Sequence, residues 1–248
     1  VTRKNALIIL QKDNRPFFVR IFIENFYILW SKYFLIPQFK RVGKNLDINK
    51  PWNIDVYGKN ISLGENVHIR TSRNVITQIC AWNKNNCDGT IKIGDNVLIS
   101  PGVRIISAEE IIIDSNVMIA SNVYISDSDW HGIYDRINTP GSSKKIHIEE
   151  NSWIGEGSKI SKGVRIGKNS IIGLGSVVTS NVPDNEIFGG NPAKKIGEID
   201  KNKKIRKRED IFLNNDYNNL MKYLIKEDLK GNNLFTWLRT VFFPKKGD

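Results

Sequence analysis

From Ile148 onward an aliphatic residue returns at every sixth position, in the run IEENSW, IGEGSK, ISKGVR, IGKNSI, IGLGSV, VTSNVP. Each unit opens with Ile or Val, continues with Gly, Glu, Ser or Thr, and has a small or β-branched residue at its fifth place. The same beat is present over 63–74, 93–110 and 113–129. A fixed short period means a stack of units, none of which folds alone. Six residues is too short for a helical repeat and too regular for a sandwich. The pattern predicts an all-β solenoid over 54–190 with three flat strands to a coil. The leading aliphatic residue of each unit points inward and the fifth residue fills the corner.

Two stretches break the beat. Residues 79–90 (ICAWNKNNCDGT) form an excursion between coils, and 127–145 (DSDWHGIYDRINTPGSSKK) form a longer loop between strands ending at Ile125 and starting at Ile146. A long loop on a rigid scaffold is where function is usually placed. Gly189, Gly190 and Pro192 end the repeat. Ahead of it, 15–35 reads as a helix with Pro16 in its first turn, apolar over most of its surface, with Arg20, Glu24 and Lys32 left to solvent. Such a helix is expected to pack on the solenoid or at a subunit contact, with membrane association as the alternative. Residues 36–60, with Pro37 and Pro51, lead into the first coil. After a lysine-rich linker, KNKKIRKRE, residues 210–243 read as one or two short helices. Their aromatic residues (Phe212, Tyr217, Tyr223, Phe235, Trp237, Phe242, Phe243) are expected to cover an open end of the repeat. The domains are therefore 1–53, an N-terminal helical and extended segment; 54–197, the solenoid; and 198–248, a basic helical extension.

Charge changes this picture once it is located. The net +11 is distributed as +7 over 1–50, −2 over 51–193 and +6 over 194–248, so the excess lies outside the solenoid. No nucleic-acid-binding motif accompanies it, and no nucleic-acid partner is expected. Anionic cofactors, an acidic polysaccharide or a membrane surface fit it equally well. No apolar run reaches 18 residues, and the stretch 6–10 is too short for a signal sequence. Cys80 and Cys87 lack the spacing of a zinc or redox motif, so free thiols in a cytoplasmic protein are expected, with no metal.

Three histidines limit the chemistry. His68 and His147 each precede an inward aliphatic residue and read as solvent-facing. His131 differs, lying in the long loop beside Asp127, Asp129 and Trp130. An imidazole there can take a proton from a hydroxyl as that hydroxyl attacks an acyl carbon. Asp127, Asp129 or a backbone carbonyl could fix its tautomer.

The hexapeptide run, the ISDSDWHGIYDR loop, NSWIG, IGLGSVVTSNVP and GGNPAKKI together resemble the left-handed β-helix acyltransferases. Within them they are similar to the galactoside and maltose O-acetyltransferases and relatives that acetylate capsular and surface polysaccharides. The resemblance covers about 54–197. It implies a left-handed parallel β-helix, here with N- and C-terminal helical extensions. It also implies a homotrimer with acetyl-CoA in a groove between adjacent subunits, and His131 as the base for direct attack on the thioester. Trp153 then stands near the reacting thioester, and the backbone at Gly155 and Glu156 meets the oxyanion or thiol. Gly173, Leu174 and Gly175 line the pantetheine path, Thr179 joins them, and Lys194 and Lys195 meet the CoA phosphates. Two departures bear on the acceptor: Ser180 stands where relatives often have Lys, and Ser100 where the galactoside branch uses Asn. They argue against a simple monosaccharide. Ser100, Asp129, Trp130, Tyr134 and Arg136 are the expected acceptor contacts, and an acidic glycan containing sialic or uronic acid is the expected acceptor. The basic aromatic termini add a peripheral contact with the inner face of the membrane.

Alternatives remain at this point. A γ-type carbonic anhydrase needs clustered histidines that this spacing does not offer. Serine O-acetyltransferase is a closer reading, as is an N-acetyltransferase acting on an amino-sugar nucleotide. A non-catalytic glycan-binding solenoid would leave GGNPAKK and Trp153 without a purpose.

Overall fold

A computed structural model describes residues 13–84, 87–137, 141–200, 202–213 and 217–245. The stretch 6–10 lies outside them, as do the side chains of Cys87 and Tyr217. The chain forms two compact units: Tyr27–Leu213, and the described residues up to Phe26 together with those after Leu213.

In the larger unit the strands are dealt in rotation to three parallel sheets. In one circuit Arg165–Ile166 lies in the first sheet, Ile171–Ile172 in the second and Val177–Val178 in the third. Ile148 pairs with Ile166, Ile154 with Ile172 and Ile160 with Val178, each eighteen residues on, or three units of six. The leading aliphatic residues Ile148, Ile154, Ile160, Ile166, Ile172 and Val178 are all buried. So are the fifth-place residues Ser152, Ser158, Val164, Ser170, Ser176 and Val182. The corner serines are small enough to fit and their hydroxyls reach backbone carbonyls, as Ser152 Oγ does to Glu149 O (2.7 Å) and Gly167 O (2.9 Å). A buried hydroxyl without such an acceptor would be strongly disfavoured.

The sheets begin before residue 54: Arg41–Val42 pairs with the first-sheet strand Ile61–Leu63, and Asp47–Ile48 with the second-sheet strand His68–Ile69. The first excursion starts later than expected. Ile79, Cys80 and Ala81 belong to the strand Thr77–Ala81, and the hairpin beyond it pairs Asn83–Lys84 with Cys87–Asp88. Cys80 is a buried free thiol, pushed up to about 11 by burial and by Asp55. The repeat ends as predicted, in an antiparallel hairpin of Glu186–Gly190 against Ala193–Glu198.

Between the first and second sheets, each corner places an asparagine in the left-handed region, among them Asn66, Asn96, Asn116, Asn151, Asn169 and Asn185. Asn tolerates this backbone because its short amide bonds locally. The amides form ladders, Asn45 to Asn66 to Asn96 (3.0 Å each) and Asn151 to Asn169 to Asn185 (2.9 Å each). At Asn116 the partner is Glu209 instead: Glu209 N donates to Asn116 Oδ1 (2.8 Å) and Asn116 Nδ2 to Glu209 Oε2 (3.1 Å). Arg208 Nε donates to Asn96 O (2.7 Å), and Lys207 Nζ to Glu150 Oε1 (2.6 Å). The segment read as a linker is thus a strap docked on these corners.

The strap overturns the expectation for His68, which is buried. Phe212 meets its ring edge-on at 5.4 Å, and Arg70 and Arg208 stand 3.3 and 3.4 Å from Nδ1. His147 points outward as expected but is half-buried and paired with Asp114 (3.0 Å).

Helix α1 (Phe17–Trp30) runs on into a π turn, Ser31–Leu35; it starts two residues later than expected, so that Pro16 precedes its first turn and accepts from Arg20 N through its carbonyl. Two further helices, α2 (Tyr217–Asp228) and α3 (Leu234–Phe242), follow Leu213. Arg20 and Glu24 are not left to solvent: they pair with each other at 2.7 Å and are part-buried. Among the described residues no helix is long and apolar enough to cross a membrane.

Candidate active site

The 127–145 loop leaves the third sheet after Tyr124–Ser126 and returns to the first at Ile146–Ile148. Its neck is pinned by Asp127. That fully buried carboxylate accepts from Ser107 Oγ (2.7 Å), Ala108 N (2.7 Å) and Glu109 N (3.0 Å). Backbone bonds from Lys144 to Asp127 and from Asp129 to Ser142 close the neck. Asp127 therefore holds the loop and not the imidazole.

Beyond the neck the backbone makes a three-residue turn. His131 N donates to Asp129 O (2.8 Å) around Trp130, whose φ is +66°. This hand of γ-turn is strained, and for a bulky residue it persists only when its surroundings enforce it. Here Trp130 N donates to Ser128 Oγ (3.1 Å) and its indole Nε1 to Ser126 Oγ (3.1 Å). The turn presents His131 at the surface with Nδ1 3.0 Å from Arg136 O. A carbonyl can only accept, so the proton is on Nδ1 and the lone pair on Nε2. The tautomer is set by a backbone carbonyl. Asp129, the other expected partner, is tied to Lys162 and to Ser142 (3.0 Å). Tyr134 and Arg136 lie in the same loop; Tyr134 is almost fully exposed, and Arg136 contributes its carbonyl.

The residues carried over for CoA lie elsewhere. Ser100, Gly155 and Gly173 lie in one stack of corners between the second and third sheets, with Ala120 between Ser100 and Gly155, and Glu156 and Leu174 stand one place on. Trp153, on the second sheet, is half-exposed, and Leu174 is 83% exposed. Glu156 accepts from Gly175 N (2.7 Å), and among the described residues no acceptor is bonded to its own N–H. The glycines differ in what requires them. A Cβ on Gly155 would meet Ile172 O at 2.5 Å, so stacking alone demands glycine there. A Cβ on Gly173 would make ordinary contacts with Phe188 O at 3.4 Å and with Gly189 Cα and Ser176 Oγ at 3.7 Å, and one on Gly175 would meet nothing within 4 Å. Gly175 thus faces open space, although its φ of +66° favours glycine by itself, and Gly173 has room for a Cβ without overlap.

Thr179 follows Val177–Val178 and stands across the third sheet from Gly173–Gly175, on the border that carries the His131 loop. Lys194 is exposed opposite Gly189 in the terminal hairpin. Lys195 is engaged within the chain, by Glu186 (2.8 Å) and Glu198, and these carboxylates raise its pKa. Within one chain the two clusters border opposite edges of the third sheet, one strand length apart, about 10 Å at Tyr124–Ser126. Ser126, Ser128, Gly141 and Lys162 support the site and escaped sequence reasoning. The one available signal was the position of Lys162, at the same corner one circuit after the loop.

The repeat over 145–180 matches the family described as bacterial transferase hexapeptide (six repeats). A galactoside O-acetyltransferase of Lactococcus lactis subsp. lactis is 30% identical over 171 residues, 67% of this chain and 68% of that protein. The chain belongs to the hexapeptide-repeat acyltransferases. Protein CapG of Staphylococcus aureus is 38% identical over 138 residues, 55% of this chain and 70% of CapG. A mutant of AntD, an N-acyltransferase from Bacillus cereus solved with dTDP and coenzyme A, superposes with a TM-score of 0.52. The match is 24% identical and covers 79% of this chain and 96% of that one, and it speaks for the acyltransferase fold alone.

Proposed function

We propose that this acyltransferase moves an acetyl group from acetyl-CoA to a hydroxyl of a surface glycan, with His131 as general base. The observation that carries the reading is the His131 turn. A strained backbone held by two serines aims an imidazole whose Nδ1–H is committed to Arg136 O, leaving Nε2 as the basic atom. The acceptor hydroxyl gives its proton to Nε2 as its oxygen attacks the thioester carbon. The Glu156 N–H is the donor for the resulting oxyanion. Collapse breaks the carbon–sulfur bond, and the imidazolium protonates the departing thiolate. Base catalysis of this kind contributes about 10²–10⁴-fold and an oxyanion donor a similar share.

The rotation of strands through three sheets, read with the AntD-like fold, supports a left-handed β-helix. The opposed borders support a homotrimer, in which the His131 and Thr179 border of one subunit faces the Gly173–Gly175 border of the next across the CoA groove. Lys194 meets the phosphates. Tyr134 and Arg136 are the acceptor contacts, Tyr134 by stacking and Arg136 by a charge-assisted hydrogen bond to a carboxylate. Together with the basic flanks they favour an acidic glycan. Acetyl-CoA is made in the cytoplasm, so this reading is a cytoplasmic one.

The test is thiol release from acetyl-CoA across neutral and acidic glycans. Turnover with an acidic glycan is expected, and His131→Ala should lower it at least about a hundredfold while CoA still binds. A wild-type chain that binds no CoA would overturn the reading and leave a glycan-binding scaffold.

A further inference from the structure

Helix α1 departs from an ordinary surface helix, whose outward face is charged and polar, in carrying an apolar stripe outward as well. No residue of α1 is buried. Its outward stripe is Phe18, Phe22, Phe26 and Leu29, at i, i+4, i+8 and i+11, and Phe22 is 71% exposed. Its ionised side chains neutralise one another away from that stripe. Arg20 Nε donates to Glu24 at 2.7 Å, and its guanidinium stands 3.5 Å from Asp13. Helix α3 repeats the pattern with Phe235, Leu238 and Phe242 exposed at i, i+3 and i+7, followed by exposed Phe243. Asn232, in the turn between α2 and α3, donates to Asp13 O (2.7 Å) and Arg15 O (3.1 Å), so α1 and α3 start from one point. Along α2 two exposed lysines, Lys222 and Lys226, stand one turn apart, and exposed Lys230 follows just beyond its end, 3.5 Å from Glu227.

Charge names the occupant of these faces. Residues 1–26 and 214–248 carry eleven Lys and Arg against six Asp and Glu, a net +5 over 61 residues. A second copy would bring the same positive charge to the contact. An anionic bilayer offers the opposite charge and an apolar layer beneath it.

We propose that α1, α2 and α3 are a docking surface for an anionic lipid membrane. The phenylalanine stripes enter the boundary between headgroups and acyl chains and the lysines meet the headgroups. None of these helices spans the membrane; they lie in its interface. This inference stands apart from the acyl-transfer reading and concerns none of its residues.

The test uses the full chain and sedimentation with two kinds of vesicle, phosphatidylcholine alone and phosphatidylcholine with added phosphatidylglycerol. Binding to the anionic vesicles is expected to weaken as salt rises and to exceed binding to the neutral ones at least about tenfold. The double variant Phe22→Ser/Phe235→Ser removes two exposed rings and so leaves the fold intact. It should lose at least about tenfold of the binding. Lys222→Gln/Lys226→Gln should lose the preference for phosphatidylglycerol while retaining residual binding. No binding to either vesicle would overturn the proposal, as would a phenylalanine double variant that binds like wild type. If that variant instead lowers the oligomeric state by light scattering with vesicle binding unchanged, the stripes serve a second copy of the chain and the proposal fails.

Discussion

Trp130 is the residue on which the site turns. An aromatic side chain at φ +66° is disfavoured by its own Cβ, and two serine contacts at 3.1 Å hold it there. A neighbour with no chemistry of its own closes the other side. A methyl on Gly141 would overlap the carbonyl oxygen of His131 and approach Asp129 Cβ to 2.8 Å. Gly141→Ala must therefore push the His131 backbone outward, and misplacement by a fraction of an ångström disturbs the approach of base to hydroxyl. The expected outcome is a fall in kcat of about tenfold or more with CoA affinity unchanged, read by steady-state kinetics beside equilibrium CoA binding. Unchanged kcat would show that the turn tolerates the displacement. His131 stood out as the candidate base in the sequence because it is the one histidine in an acidic, aromatic loop. Its supports did not, because Ser126, Gly141 and Lys162 come together only through the fold, and each alone is an ordinary surface residue type.

At the scale of elements, the strap from Lys207 to Phe212 creates the chemistry of His68. The guanidinium groups of Arg70 and Arg208 can only donate, so His68 Nδ1 must stay unprotonated, and a proton there would also lie buried beside two cations. Burial, followed by Arg70 and Arg208 against the opposing pull of Asp47, lowers its pKa to about 4. The unfolded chain binds a proton near pH 6.5 that the folded chain refuses until about pH 4. Stability is therefore complete above about pH 6.5 and falls as pH drops toward 4, by on the order of 2–3 kcal/mol for this group. Thermal melting of wild type against His68→Gln across that window should show a steeper fall in the first than in the second. Glu110 and Glu150, held low by their lysine partners, add a loss of their own at the acid end, so the difference between profiles is the quantity read. Equal profiles would remove His68 from the account. The six-residue elements were legible because each unit repeats the same inward position. The strap read as a linker because its lysines look solvated in sequence. Its real partners are the corner groups of Asn96, Asn116 and Glu150, which no periodicity marks. Likewise the phenylalanine pattern of α1 identifies a helix but cannot say which face turns outward.

For the whole molecule the decisive feature is that the His131 loop and the Gly173–Gly175 corner lie on opposite borders of the third sheet. If each working site joins the His131 border of one subunit to the Gly173–Gly175 border of the next, two variants defective in different halves must complement each other. His131→Ala lacks the base and keeps the groove. Gly173→Trp keeps the base and fills the groove, and it should fold because no atom stands closer than 3.4 Å to a Cβ at that position. Each homotrimer alone should be inactive. Denatured together in equal amounts and refolded, the chains assort at random, and a site is intact when its base comes from one variant and its groove from the other. That happens in about a quarter of sites for a cyclic trimer, so activity should return to about a quarter of wild type. Simple mixing of the two folded proteins should restore little until subunits exchange. A site contained within one chain could not respond in this way, because every chain in the mixture lacks one half. Recovery after co-refolding would thus establish both the assembly and the division of labour between its borders, and its absence, with mixed trimers shown to be present, would place the whole site within a single subunit.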